Sequence, residues 1–175
     1  MPTPDRFKPE QAAVEALIRR AFRGVSREGG VSWSETFAID SMGDEQECAR
    51  ARELDTEACW EDLIVDPDWD YDATSGGFNF LDAIGWRYYI APALIRCTRE
   101  GGGEFISYHL KHGGEYKDEQ VRLLTRTQKH AVARANRLMI PLSQSRDPNF
   151  PHAADAWSFA YRMHWRQWDR GGLAT

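Results

Sequence analysis

Apolar positions in the first segment recur at helical spacing: Val14, Leu17, Ile18, Ala21 and Phe22 follow one another at three- and four-residue steps. Pro9 suits a first helical position and Gly24 can close the end. Glu10 and Glu15 lie near the start of this helix and Arg19, Arg20 and Arg23 near its end, each set complementing the helix dipole. After Glu28-Gly29-Gly30, the run Ser32-Trp33-Ser34-Glu35 fits a capping box, in which Ser and Glu satisfy free backbone N–H groups reciprocally. A short helix through about Ile39 follows. Asp44 to Leu54, rich in Glu, Ala and Arg, reads as a further, exposed helix.

The centre of the chain has a different texture. Phe78 to Leu81 and Trp86 to Tyr89 are dense in the aromatic residues that favour strands, and Asp82-Ala83-Ile84-Gly85 between them suits a tight turn. The pattern predicts an antiparallel hairpin over about 78–89, with Asp82 and Arg87 as a clasp across the turn. Pro92 would open a short buried helix that ends at Gly101-Gly102-Gly103, a flexible connector. Residues 104–118 carry Phe105, Ile106, Tyr108 and Leu110 and fit either a strand or a short helix.

Thr125-Arg126-Thr127-Gln128 is a second capping box, opening a helix with Val132, Ala135, Leu138, Met139 and Leu142 along one side. A last helix from about Ala153 to Trp168 aligns Trp157, Tyr161, Trp165 and Trp168 in one aromatic stripe. The expected class is α+β: a mainly helical single domain over residues 1–175, with a small antiparallel sheet centred on the hairpin at about 78–89.

Composition narrows the setting. With 175 residues, 42% of them hydrophobic, and seven Trp, the chain can bury a sizeable core and lies away from the disordered class. Asp5, Arg6, Lys8, Glu10 and Glu15 are wrong for the apolar centre of a secretory signal, and no run approaches the roughly 18 apolar residues of a membrane span. A cytosolic protein without membrane association is expected. Cys48, Cys59 and Cys97 form an odd set without Cys-x-x-Cys spacing, which predicts reduced, mostly buried thiols. Charge is uneven: residues 1–75 hold 18 acidic against 8 basic side chains, and residues 76–175 hold 9 against 14.

Candidate chemistry is sparse. Asp66-Pro67-Asp68-Trp69-Asp70-Tyr71-Asp72 alternates acids with other residues, so that Asp66, Asp68, Asp70 and Asp72 could share one face of an extended chain. The calcium-loop pattern fails, because Tyr71 and Gly77 stand where a Gly and a bidentate acid are required. Gly30-Val31-Ser32-Trp33-Ser34 lacks the final Gly of a hydrolase elbow, and the triple Gly lacks the Lys of a phosphate loop. His109 and His112, with Glu115 or Asp118, do not make a His-Glu-x-x-His metal motif. No cofactor is expected. Arg122, Arg126, Lys129, Arg134 and Arg137 line the helix opened by Thr125, and Arg162, Arg166 and Arg170 accompany the aromatic stripe, as phosphate contact with base stacking would need, but a pI near 5.6 opposes affinity for a polyanion.

The residual reading is a protein-interaction or regulatory, neutralising module without catalysis, since Trp, Tyr and Arg anchor interfaces. Its partner-facing residues would be Asp66, Asp68, Asp70 and Asp72 with Arg126, Lys129, Arg134 and Arg137. Two alternatives stand beside it: a small hydrolase-type or metal-dependent enzyme without a recognisable motif, and a nucleic-acid-binding protein using the basic helix at about 122–137.

Phe80-Leu81-Asp82-Ala83, Gly85-Trp86-Arg87-Tyr88-Tyr89 and Pro92-Ala93, with Leu124-Thr125, Gln128 and Ala131-Val132 downstream, resemble the pattern of an uncharacterised bacterial family of unknown function. The resemblance spans most of residues 10–142. It implies a cytosolic bacterial protein and supplies no catalytic residue.

Overall fold

A computed structural model describes residues 5–111, 114–146 and 152–169. These form α1 (Lys8–Ala21), α2 (Trp33–Asp40), α3 (Glu45–Arg52), α4 (Ala83–Glu100), α5 (Glu104–Lys111), α6 (Glu115–Leu123), α7 (Arg126–Arg146), α8 (His152–Ala160) and α9 (Arg166–Asp169). Short 3-10 turns occur at Asp5–Phe7, Asp62–Ile64 and Gly77–Asn79, and one π turn, Tyr161–Trp165, joins α8 to α9. The described residues contain no strand, so the fold is helical and the expected sheet is absent.

The correction falls on the central segment. Asp82 is a helix N-cap, its Oδ1 accepting the Gly85 N–H at 2.8 Å, and the helix begins at Ala83 rather than Pro92. Trp86 to Tyr89 therefore lie on α4, and Phe78 and Asn79 in a 3-10 turn. The physical reason is burial on all sides. Gly85, Trp86 and every residue from Tyr88 to Ile95 are buried, so no polar face marks the 3.6-residue period. Pro92 sits inside α4, where it removes one backbone hydrogen bond but not the surrounding packing. The Asp82–Arg87 clasp does not form: the second N–H on Asp82 Oδ1 is that of Val31, at 3.1 Å.

Elsewhere the helix signals hold. Val14, Ile18 and Phe22 of the first helix are buried, and Glu35 accepts the Ser32 N–H at 3.0 Å. Asp44 and Glu47 form a reciprocal box at the head of α3, whose residues are all partly or fully exposed. Thr125 and Gln128 do the same before α7, and Val132, Ala135, Leu138, Met139 and Leu142 are buried. Of residues 104–118, Glu104–Lys111 form helix α5 and 115–118 begin α6. The final aromatic stripe spans α8, the π turn and α9, with Trp157 and Trp165 buried.

The triple glycine is a fixed corner. Gly101 closes α4 in the left-handed conformation at φ 71°, its N–H bonded to the Cys97 carbonyl at 2.6 Å. Gly103, at φ 94°, passes so close to Cys97 that a β-carbon there would lie 2.3 Å from its Sγ. Of the cysteines, Cys97 is buried, Cys48 half-buried and Cys59 exposed, so burial of the thiols is less general than expected. Around α4 pack α1, α6 and α7; α7 also carries α8 and α9, while α2 and α3 pair with each other near the chain's acidic loops.

Candidate functional site

Between the start of α2 and the loops at 54–58 and 62–70 lies an open cleft of about 680 Å³. Its wall is aromatic, with Trp33, Phe37, Trp69 and Tyr89; its polar lining includes the carboxylates of Asp55, Glu57, Asp62, Asp66, Asp68 and Asp70 and no Lys or Arg. The Trp33 ring meets Trp69 and Tyr89 at centroid distances of 5.3 Å each, so the aromatic wall is a packed surface rather than an open cage.

The polar groups of the cleft are held in place by backbone. Asp55 takes the Ser34 N–H at 2.8 Å and the Ser34 hydroxyl at 2.7 Å, capping α2 from outside the helix. Tyr89, reaching out from α4, accepts the Trp33 N–H at 2.9 Å and donates to Glu57 at 3.2 Å. Burial pushes the Tyr89 phenol well above its ordinary range, and the Glu57 charge adds to the shift. Asp62 accepts the Ala58 and Cys59 N–H groups at 2.9 and 3.1 Å. Asp66 and Asp70 each close a local turn, accepting the Asp68 and Asp72 N–H groups at 2.9 and 3.3 Å.

Glu57 is shared with a second hollow of about 500 Å³, lined also by Arg27, Arg52, Cys59 and Tyr88. The Arg27 guanidinium approaches Glu57 at 3.2 Å, with side-chain exposures of 18% and 7%, so this pair is largely desolvated. Arg52 grips Glu35 through two nitrogens at 2.7 to 3.0 Å, and that contact raises the guanidinium pKa. Among the described residues, no Lys or Arg forms an ion pair with Asp55, Asp62, Asp66, Asp68 or Asp70. The third nearby guanidinium, Arg96, donates to the Asp66 and Trp69 carbonyls at 3.0 and 2.7 Å and lies 4.6 Å from the Tyr71 ring centroid.

The predicted acidic set divides. Asp66, Asp68 and Asp70 line the cleft, while Trp69 and Tyr71 turn into the core. Asp72 faces away and caps α5, accepting the Glu104, Phe105 and Ile106 N–H groups at 3.0, 3.0 and 3.1 Å. Burial raises its carboxyl pKa against the pull of those donors.

The predicted basic set lies on α7, apart from the cleft lining. Arg134 lies 3.6 Å from Glu10 and 3.8 Å from Asp169. Arg137 lies 3.7 Å from Glu10 and 2.8 Å from Asp169. Lys129 stands 4.6 Å from the Trp168 ring centroid, and Arg126 is exposed at the helix start. Much of this charge is shared within the molecule. Of the histidine pair, His109 contacts the Phe78 ring and His112 lies outside the described residues. Among the described residues no three His, Cys, Asp or Glu side chains gather as a metal site would require.

Sequence spacing did not identify Trp33, Asp55, Glu57 and Tyr89 as one site. Their nearest signal was the acidic bias of residues 1–75, which says nothing about α4 reaching that loop through a single phenol. A family of unknown function, DUF6714, matches residues 10–101, a stretch that contains every residue of the cleft. The downstream part of the sequence resemblance, from Leu124 onward, lies outside the matched residues. No curated protein and no solved structure matches the chain. Among the described residues, no helix is long and apolar enough to cross a membrane.

Proposed function

We propose, for a chain that belongs to the DUF6714 family of unknown function, an interaction module whose cleft receives a basic segment of a partner protein. The observation that carries this reading is the lining: six carboxylates and four aromatic rings with no Lys or Arg among them. Carboxylates crowded around one cleft create a negative potential that draws a polycation and raises its rate of encounter. Phe37, the one half-buried ring of the wall, suits the same ligand, since Lys and Arg lay their aliphatic stems along apolar surface while their charged ends remain near carboxylates. The acids extend over two successive loops, a longer rim than a single ammonium group would use.

A regulatory or neutralising role fits this geometry, because occupying a partner's basic segment blocks whatever that segment would otherwise bind. Backbone hydrogen bonds already fix Asp55, Asp62, Asp66 and Asp70, so the acidic rim is preorganised. Binding then costs little ordering on this side.

The test uses a ten-residue Lys/Arg-rich peptide as probe, with a Glu-rich peptide of equal length as control, in titration calorimetry at low and high salt. Binding of the basic peptide alone, weakened at least tenfold by salt and by the combined change Asp66→Asn, Asp68→Asn and Asp70→Asn, is expected. Asn retains an acceptor for the local turns, so the variant isolates charge. An affinity indifferent to those three changes, or no binding at low salt, overturns the reading.

A further inference from the structure

We infer, resting on the reading of the cleft as the receiver of a basic segment, that this segment is amphipathic: it carries a large aliphatic side chain beside its Lys and Arg residues and seats that side chain on Leu54. Leu54 lines the cleft and is 72% exposed. A single exposed leucine is ordinary on a protein surface, and this one is distinguished by how it is held.

The backbone on both sides of Leu54 is tied down. Its own N–H is donated to the Ala51 carbonyl at 3.1 Å, and the N–H of the next residue, Asp55, to the Arg52 carbonyl at 3.3 Å. The Asp55 carbonyl accepts from Arg27 at 3.2 Å, and the Asp55 carboxylate holds both the N–H and the hydroxyl of Ser34. The leucine therefore projects from a fixed corner, and covering it demands little further ordering of the backbone. Ala58, on the same loop, is also exposed in the cleft lining, and Phe37 of α2 adds a half-buried ring.

The two loops of the cleft differ in what they offer a ligand. On 54–58 both carboxylates are engaged: Asp55 by Ser34, and Glu57 by the Arg27 guanidinium and the Tyr89 hydroxyl, each at 3.2 Å. On 62–70, Asp62, Asp66 and Asp70 accept backbone N–H groups, and none of them forms an ion pair with Lys or Arg among the described residues. Asp62, Asp68 and Asp70 are exposed.

A Lys or Arg of the partner laid over 62–70 meets charge that is not neutralised. Laid over 54–58, its cationic end would lose water without gaining a free carboxylate. An aliphatic side chain gives up no such hydration there, and covering Leu54 removes apolar surface from water. A uniformly basic segment leaves that leucine wet. The occupant that matches both loops is basic toward one and apolar toward the other, as a helix is when its apolar residues recur at three- and four-residue steps.

The experiment titrates the intact protein with two peptides of equal length and equal Lys content, one carrying Leu and the other Gln along one helical face. Calorimetry at low salt should show both binding, the Leu peptide tighter by about tenfold or more. Leu54→Ser should erase most of that advantage and leave the affinity of the Gln peptide within about twofold, since it removes apolar surface and no charge. Leu123→Ser, at an exposed position of α6 outside the cleft lining, is the control and should alter neither affinity. Both substitutions fall on exposed side chains, so the core is kept. Equal affinities of the two peptides, an advantage of the Leu peptide that survives Leu54→Ser, or one that Leu123→Ser removes as well, overturns the inference while binding of the Gln peptide still upholds the basic-segment reading. Failure of both peptides to bind at low salt overturns that reading and this inference together.

Discussion

Tyr89 donates its phenol to the Glu57 carboxylate at 3.2 Å, and through that contact the buried central helix α4 reaches the rim of the acidic cleft. The same oxygen accepts the N–H of Trp33, one of the free donors at the head of α2. Tyr89→Phe removes both bonds while keeping the ring. It should destabilise the protein by about 1–3 kcal/mol, the usual cost of leaving buried polar groups unpaired. Urea denaturation measures this, and an unchanged midpoint would show that water replaces the phenol without loss.

Gly85 should reverse an ordinary rule. Replacing glycine by alanine inside a helix normally stabilises by about 1 kcal/mol. Here a β-carbon would lie 2.3 Å from the Val31 carbonyl oxygen, where the loop before α2 crosses the first turn of α4. Gly85→Ala should therefore destabilise by about 1–3 kcal/mol through overpacking. A thermal melt that rises instead would mean the loop can move aside.

The aspartates of the loop should separate into two kinds. Asp72→Ala strips three N–H groups of α5 of their acceptor and should cost about 1–2 kcal/mol, as loss of an N-cap does. Asp68→Ala, at an exposed position, should change stability by less than about 0.5 kcal/mol. Chemical denaturation of the two variants in parallel checks the contrast. Equal losses would deny Asp72 its capping role.

Lys117 should leave a mark on the pH dependence of stability. Its folded pKa of about 7 lies below the unfolded value of roughly 10.4, so between these limits the unfolded chain binds more protons. Stability should then rise with pH from about 7. Cys97, whose thiol burial pushes well upward, opposes this once the unfolded thiol ionises, near pH 9. Lys117→Met should flatten the rise between pH 7 and 8.5 and stabilise the protein most at pH 7 and below. Denaturation midpoints over that range decide the matter, and parallel profiles for the two proteins would exclude an uncharged Lys117.

Local chemistry made much of the helical frame legible. Ser32 with Glu35, Asp44 with Glu47 and Thr125 with Gln128 each satisfy backbone donors within four residues, so the helix starts are written beside themselves. Amphipathic spacing likewise identified the buried sides of α1 and α7, because each helix has a wet face to contrast with its dry one. The hairpin expectation failed where that contrast vanishes. Trp86, Tyr88, Tyr89 and Ile90 are all buried, and such a run cannot be told from a buried strand by periodicity. Asp82 is an N-cap rather than the expected turn residue, two roles that share the same preference for a short side-chain acceptor.

What the sequence by itself determined was the set of elements with short-range signals: the capped helices, the acidic loop at 66–72 and the charge imbalance between the two parts of the chain. Tertiary structure alone decided that Asp66, Asp68 and Asp70 face a cleft and Asp72 a helix end, and that Arg134 and Arg137 meet Glu10 and Asp169. It also decided that Lys117 lies against Trp86 and donates to Gln120. The physical reason is range. A cap or a periodic face is fixed by neighbours a few residues apart, whereas the charge state and surroundings of a side chain depend on groups that only the completed packing brings near it.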